Sequence, residues 1–121
     1  MASLNMKGPY EFNRETIRDV VPEVKFGNYA LGYMDEDGDF RVSYVGRSDR
    51  NLPRRIADHL GEHPKKYKKF KYSVASSEKE AFFEECRTYH AFGEKTKLYN
   101  GEHPDRPDGE EYGCPYCEIF D

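Results

Sequence analysis

The residues most able to do chemistry in this chain are three cysteines, a few histidines and one misplaced glutamate. Cys114-Pro115-Tyr116-Cys117 has the spacing of a dithiol redox pair. Such a pair opens a helix whose N-terminus stabilises the thiolate, and only four residues follow Cys117, so the redox reading fails on position. A metal reading uses all three cysteines. Cys86 and His90 are four apart on a helical pattern and therefore share a face, roughly 6 Å apart at Cβ. With Cys114 and Cys117 they supply the ligand types and spacings of a tetrahedral structural zinc site, and His103 rivals His90 as the fourth ligand. The plain alternative is that Cys86 is a core residue and the tail pair is free.

Glu85 draws notice for a different reason. Ala81, Phe82, Cys86 and Tyr89 form the apolar stripe of one helical pattern, and Glu85 lies inside it. A carboxylate on a buried face is costly unless it is paired or holds a metal. Arg55 and His59, also four apart, flank the stripe Leu52, Ile56 and Leu60 of an earlier helix.

Several elements must position these side chains. Ile17, Val20 and Val21 give a short amphipathic helix over Asn13 to Val21, ended by Pro22. Tyr29, Leu31 and Tyr33 alternate as a strand, Asp35 to Asp39 turn the chain around Gly38, and Phe40, Val42 and Tyr44 alternate back, which predicts a β-hairpin. The turn does not suit calcium, because Gly38 comes one place early and the twelfth position from Asp35 is Gly46 where a glutamate is needed. Ser48 or Asp49 caps the helix carrying Leu52 and Ile56, with Pro53 in its first turn and Gly61 and Pro64 beyond its end. Phe70, Tyr72 and Val74 alternate as a third strand. Ser77 and Glu80 then form a capping box into a helix from Glu78 to about Phe92, with Gly93 at its end. The expected fold is α/β in composition, of the α+β kind: a three-stranded antiparallel sheet flanked by helices, with the C-terminal tail folded back on the zinc site.

Length and composition agree with a small globular unit. The chain has 121 residues, and its Leu, Ile, Val and Phe total only 22, but ten Tyr add apolar area that disordered chains lack. A single domain is expected, with residues 1–25 as a helix-bearing extension, 26–100 as the core and 101–121 as a tail rich in Pro, Gly and acids. Neither a membrane span nor a secretory signal is evident, so the expected compartment is cytoplasmic and no membrane partner is expected. The net charge of −4 conceals a division. Arg47 to Tyr72 carries +6 and the rest −10, and a basic stretch interleaved with Tyr67, Phe70 and Tyr72 suits a polyanion.

Taken in order, Gly27-Asn28-Tyr29, Tyr44-Val45-Gly46, Arg55 with His59, Ala81 with Glu85, and Asn100 resemble the GIY-YIG nuclease superfamily, over about Val21 to Asn100. Two departures are Asn28, where the family usually has an aliphatic residue, and Val45 for Ile. The resemblance implies a GIY-YIG-like core and a divalent-metal-dependent endonuclease hydrolysing DNA phosphodiester bonds. Tyr29 and Tyr44 would orient a water at the scissile phosphate, with Tyr29 as general base. Arg55 would stabilise the phosphoryl charge, Glu85 would hold a single Mg²⁺ or Mn²⁺, His59 would relay protons and Asn100 would hold the site together. Arg47, Lys65, Lys66, Lys68, Lys69 and Lys71 would track the DNA backbone. The alternative is a catalytically silent module of the same fold that binds nucleic acid or protein.

Overall fold

Local chemistry explains most element boundaries in the computed structural model, which describes residues 6–62 and 65–91. The order is β1 (Lys7–Glu11), α1 (Arg14–Val20), β2 (Gly27–Met34), β3 (Phe40–Ser48), α2 (Leu52–Ala57), β4 (Lys69–Val74) and α3 (Glu78–Ala91). Asn13 caps α1, its side-chain oxygen accepting from the Thr16 amide at 2.8 Å. In the hairpin turn, Asp35 Oδ1 accepts the amides of Asp37 and Asp39, both at 2.9 Å, and Oδ2 accepts from Arg41. This turn is held by the Asp35 side chain itself.

The sheet is antiparallel with strand order β1-β4-β2-β3. Its four strands correct the expectation of three. The missed strand, β1, reads Lys-Gly-Pro-Tyr-Glu and has no apolar alternation. Pro9 lacks an amide and Gly8 has φ +120°, so the pairing slips in register between Lys7 and Tyr10. Such a sequence forms a strand only because β4 offers it an open edge. Two helix starts also differ from expectation. The α2 cap is Asn51, which accepts from the Arg54 amide at 3.0 Å, whereas Ser48 ends β3 and donates to the Lys25 carbonyl at 2.7 Å. At α3, Ser77 Oγ accepts the Glu80 amide at 3.1 Å, while the Glu80 carboxylate bonds the Ser76 hydroxyl, so only half of the capping box is present.

Strand alternation divides the core between the two sheet faces. Tyr29, Leu31, Phe70 and Tyr72 project to one face and pack with Ile17 and Val21 beside α1 and with Leu52 and Ile56 of α2. Tyr72 donates to the Val20 carbonyl at 2.8 Å, and Leu52 N–H to the Val24 carbonyl at 2.8 Å, tying α1 and α2 to the sheet. Ala30 and Val45 project to the other face and pack with Tyr89 of α3. β3 is therefore an edge strand with α2 on one face and α3 on the other, and residues from both helices meet at its edge. No helix among the described residues is long and apolar enough to cross a membrane.

Candidate active site

Tyr29 of β2 lies opposite Gly46 of β3, and Leu31 lies opposite Tyr44, so the two tyrosines share a face. Their rings are 6.2 Å apart and 21° from parallel. Gly46 makes this possible: a Cβ there would lie 2.4 Å from Tyr29 Cζ and 2.5 Å from its oxygen. With no side chain at 46, the phenol crosses β3 toward the sheet edge. Gly27 is similarly constrained, because a Cβ would meet Leu52 Cδ2 and the Ser73 carbonyl at 2.6 Å each.

The turn after α2 brings His59 over both rings, with centroids 4.6 Å from Tyr44 and 5.5 Å from Tyr29. Tyr29 Oη is 2.7 Å from His59 Nε2, in a buried contact. On the other side of the imidazole, His59 Nδ1 is 2.9 Å from Glu62 Oε1. Tyr67 closes the aromatic cluster, 6.2 Å from Tyr44 and 6.3 Å from His59. Burial pushes the Tyr29 hydroxyl well above its ordinary range, reinforced by Tyr44 and opposed by Arg55. Tyr44 is raised for the same first reason, again opposed by Arg55. Each ring nitrogen of His59 thus has one polar partner, the Tyr29 hydroxyl at Nε2 and the Glu62 carboxylate at Nδ1. Arg55, half exposed on α2, is close enough to both phenols for their charge states to be coupled.

Glu85 reaches the same edge from α3. Its Oε1 accepts from Arg47 Nη1 at 2.7 Å, and Arg47 Nε lies 3.2 and 3.3 Å from the two oxygens of Asp49. The Arg47 guanidinium sits 5.3 Å from the centre of the Phe82 ring. Burial raises Glu85 from 4.5 to about 7, against the charge and hydrogen bond of Arg47. Glu85 is only 7% exposed, and its charge reaches both tyrosines and Arg55. Asn28 finds a role in positioning α3. Its buried amide donates to the Ala81 carbonyl at 2.8 Å, tying β2 to the helix one turn ahead of Glu85.

Tyr29, Tyr44, Arg55, His59 and Glu85 are thus gathered around one end of β3. Arg47 is turned inward among Glu85, Asp49 and Phe82. The lysines are divided. Lys65 and Lys68 are exposed, and Lys66 lies 4.7 Å over the Tyr33 ring. Lys69 pairs with Glu11. Lys71 lies 5.4 Å over Phe40, and alternation in β4 puts Lys69 and Lys71 on the α3 face, away from the Tyr29 hydroxyl. Cys86 is fully buried in α3, and His90 is partly buried one turn later. Asn100, His103, Cys114 and Cys117 lie outside the described residues. Among the described residues no group of three or more His, Cys, Asp or Glu side chains is placed to hold a metal.

Sequence reasoning assigned no site role to Glu62, placed Asp49 only as a candidate helix cap and placed Tyr67 only in the basic stretch, whereas the structure sets Asp49 against Arg47 and Tyr67 against Tyr44 and His59. Glu62 had a signal, since it stands three residues after His59 and shares its side of a helical turn. The contacts of Asp49 and Tyr67 had no local signal, because they depend on how α2, β3 and β4 assemble. Compared with family models, with curated proteins and with solved structures, the chain matches none.

Proposed function

We propose that this chain is a divalent-metal-dependent phosphodiesterase of the GIY-YIG kind that cleaves DNA. One observation carries the reading: Tyr29, Tyr44, Arg55, His59 and Glu85, drawn from β2, β3, α2, the turn after α2 and α3, converge at one end of the sheet. Ordinary strand aromatics need neither a buried carboxylate nor a guanidinium at the same place.

The donor set fits a hard cation in part of its shell. Glu85 offers carboxylate oxygen, and Mg²⁺ or Mn²⁺ is commonly held by one or two carboxylates, with phosphate and water oxygens completing the shell. When bound, the ion supplies charge stabilisation at the phosphate and the leaving oxygen. The remaining work belongs to the chain. Tyr29 orients a water for in-line attack and passes a proton to His59, its hydrogen-bond partner. Arg55 presents a fork of donors to the phosphoryl oxygens. Tyr44 stacks against Tyr29 and fixes the angle of its ring. The exposed Lys65 and Lys68 meet the DNA backbone, and Arg47 holds Glu85 until phosphate and cation arrive. A structural zinc on Cys86, His90, Cys114 and Cys117, with His103 as the rival ligand, is the second part of the proposal and rests on their spacing alone.

The test is cleavage of supercoiled and branched DNA with Mg²⁺ or Mn²⁺, beside a Glu85→Gln variant. Wild-type protein should cut, and Glu85→Gln should be slower by about 10³-fold, the loss of several kcal/mol of charge stabilisation. DNA binding without cutting by the wild type would favour the silent binding module. Cutting unchanged in Glu85→Gln would remove Glu85 from the site.

A further inference from the structure

We infer that Glu62 is a positioning residue: it fixes His59 with its proton on Nδ1, so that Nε2 is free to take the proton of Tyr29. The inference rests on the nuclease reading for its role in turnover, but the hydrogen-bonded chain itself stands on geometry. Tyr29 Oη is 2.7 Å from His59 Nε2, and His59 Nδ1 is 2.9 Å from Glu62 Oε1. A carboxylate only accepts, so it selects the tautomer with Nδ1–H. It also stabilises the imidazolium that forms when Nε2 takes a proton. The titratable groups facing His59 are Tyr29 from β2, Tyr44 from β3, Tyr67 ahead of β4, and Glu62, with Arg55 one turn back on α2. Glu62 is the acid among them that touches the ring.

Burial gives the chain a direction. Tyr29 and His59 are shielded from water, whereas the Glu62 side chain is half exposed. Glu62 is therefore the member of the chain through which the imidazole meets bulk water. In the cleavage step the attacking water forms the new P–O bond and gives its proton to Tyr29 Oη as Tyr29 gives its own to His59 Nε2. The P–O bond to the leaving oxygen breaks, and that oxygen takes a proton from solvent. The imidazolium then returns its extra proton to bulk water, and the balance closes with no further reactant.

The experiment pairs a spectroscopic readout with a kinetic one on the full chain. Ring-nitrogen NMR of His59, without metal or DNA, should show the Nδ1–H tautomer in the wild type, a mixed or inverted population in Glu62→Ala, and the wild-type tautomer in Glu62→Gln, whose amide oxygen still accepts. Cleavage should fall by about 10- to 100-fold in Glu62→Ala, the scale of an orienting partner, with partial rescue in Glu62→Gln. An unchanged His59 tautomer in Glu62→Ala would overturn the inference whether or not the protein cuts DNA. So would an altered tautomer with an unchanged rate in a protein that does cut. A wild-type protein that never cuts defeats the nuclease reading, and the spectra still decide whether Glu62 sets His59.

Discussion

The two faces of β3 carry opposite kinds of chemistry. On the α2 face, Tyr29, Tyr44, His59 and Tyr67 form a closely packed aromatic cluster, joined to water through Glu62. On the α3 face, Arg47, Glu85 and Asp49 form a compact ionic cluster against Phe82. Gly46 and Arg47 are adjacent in sequence and stand at the boundary. The absent side chain of Gly46 admits Tyr29 on one face, and the long side chain of Arg47 binds Glu85 on the other. On the nuclease reading proposed above, the aromatic face would handle the proton, with Arg55 beside it for the phosphate, and the ionic face would offer the Glu85 carboxylate to a cation.

Removing one oxygen from the aromatic side should have the largest effect. Tyr29→Phe keeps the ring and its stack on Tyr44 but deletes the donor to His59. Cleavage should fall by about 10² to 10⁴-fold, the range for a lost general base. Stability should fall by only about 1 to 3 kcal/mol, the cost of leaving a buried imidazole nitrogen unpaired. Rates from a DNA-cutting assay and a urea melt on the same preparation give both numbers. A full-rate Tyr29→Phe would move the base elsewhere, with Tyr44 the next candidate.

The ionic side should answer to pH, and the sign follows from Glu85. Burial raises its folded-state value to about 7 from 4.5, so between those values the native protein holds a proton that the unfolded chain has shed. Its contribution to stability is full below about 4.5 and is lost as pH rises through about 7. Arg47 limits that loss. In Arg47→Gln the buried carboxylate has no cation beside it, so metal-free protein should lose about 3 kcal/mol at about pH 8 and much less at about pH 5. Denaturant melts at the two pH values decide it. An equal loss at both would assign Arg47 to packing on Phe82 instead.

How much of this was readable from the sequence differs between the two faces for a physical reason. Period-two alternation in β2 and β3 put Tyr29 and Tyr44 on one face, and a four-residue helical step joined Arg55 to His59; both are local geometries. Glu85 stood out because its apolar stripe demanded a partner or a metal. That Arg47 pairs with it depends on β3 packing against α3 across 38 residues, which no local pattern encodes. The α2 cap failed for a related reason. Ser48, Asp49 and Asn51 are all good caps, and Asn51 serves because Ser48 is held in β3 and Asp49 faces Arg47. β1 was invisible because Gly8 and Pro9 disfavour a strand that tertiary pairing then imposes.

The smallest effect expected is the most diagnostic of how the two faces are joined. Gly46→Ala adds one methyl, placed 2.4 Å from Tyr29 Cζ, where real Cβ contacts do not occur. Tyr29 is fully buried and cannot swing into open space, so its ring must tilt, at about 2 kcal/mol for an overpacked site. The tilt pulls the hydroxyl from His59 and leaves Arg47 and Glu85 in place, because Arg47 points to the opposite face. Gly46→Ala should therefore lose activity in the wild-type background and almost none further in the Tyr29→Phe background, whose hydroxyl is already gone. Its stability loss should have the same pH dependence as the wild type. If instead Gly46→Ala lowers the rate equally in both backgrounds, the methyl is disturbing the ionic cluster through the backbone of β3, and the two faces are mechanically coupled.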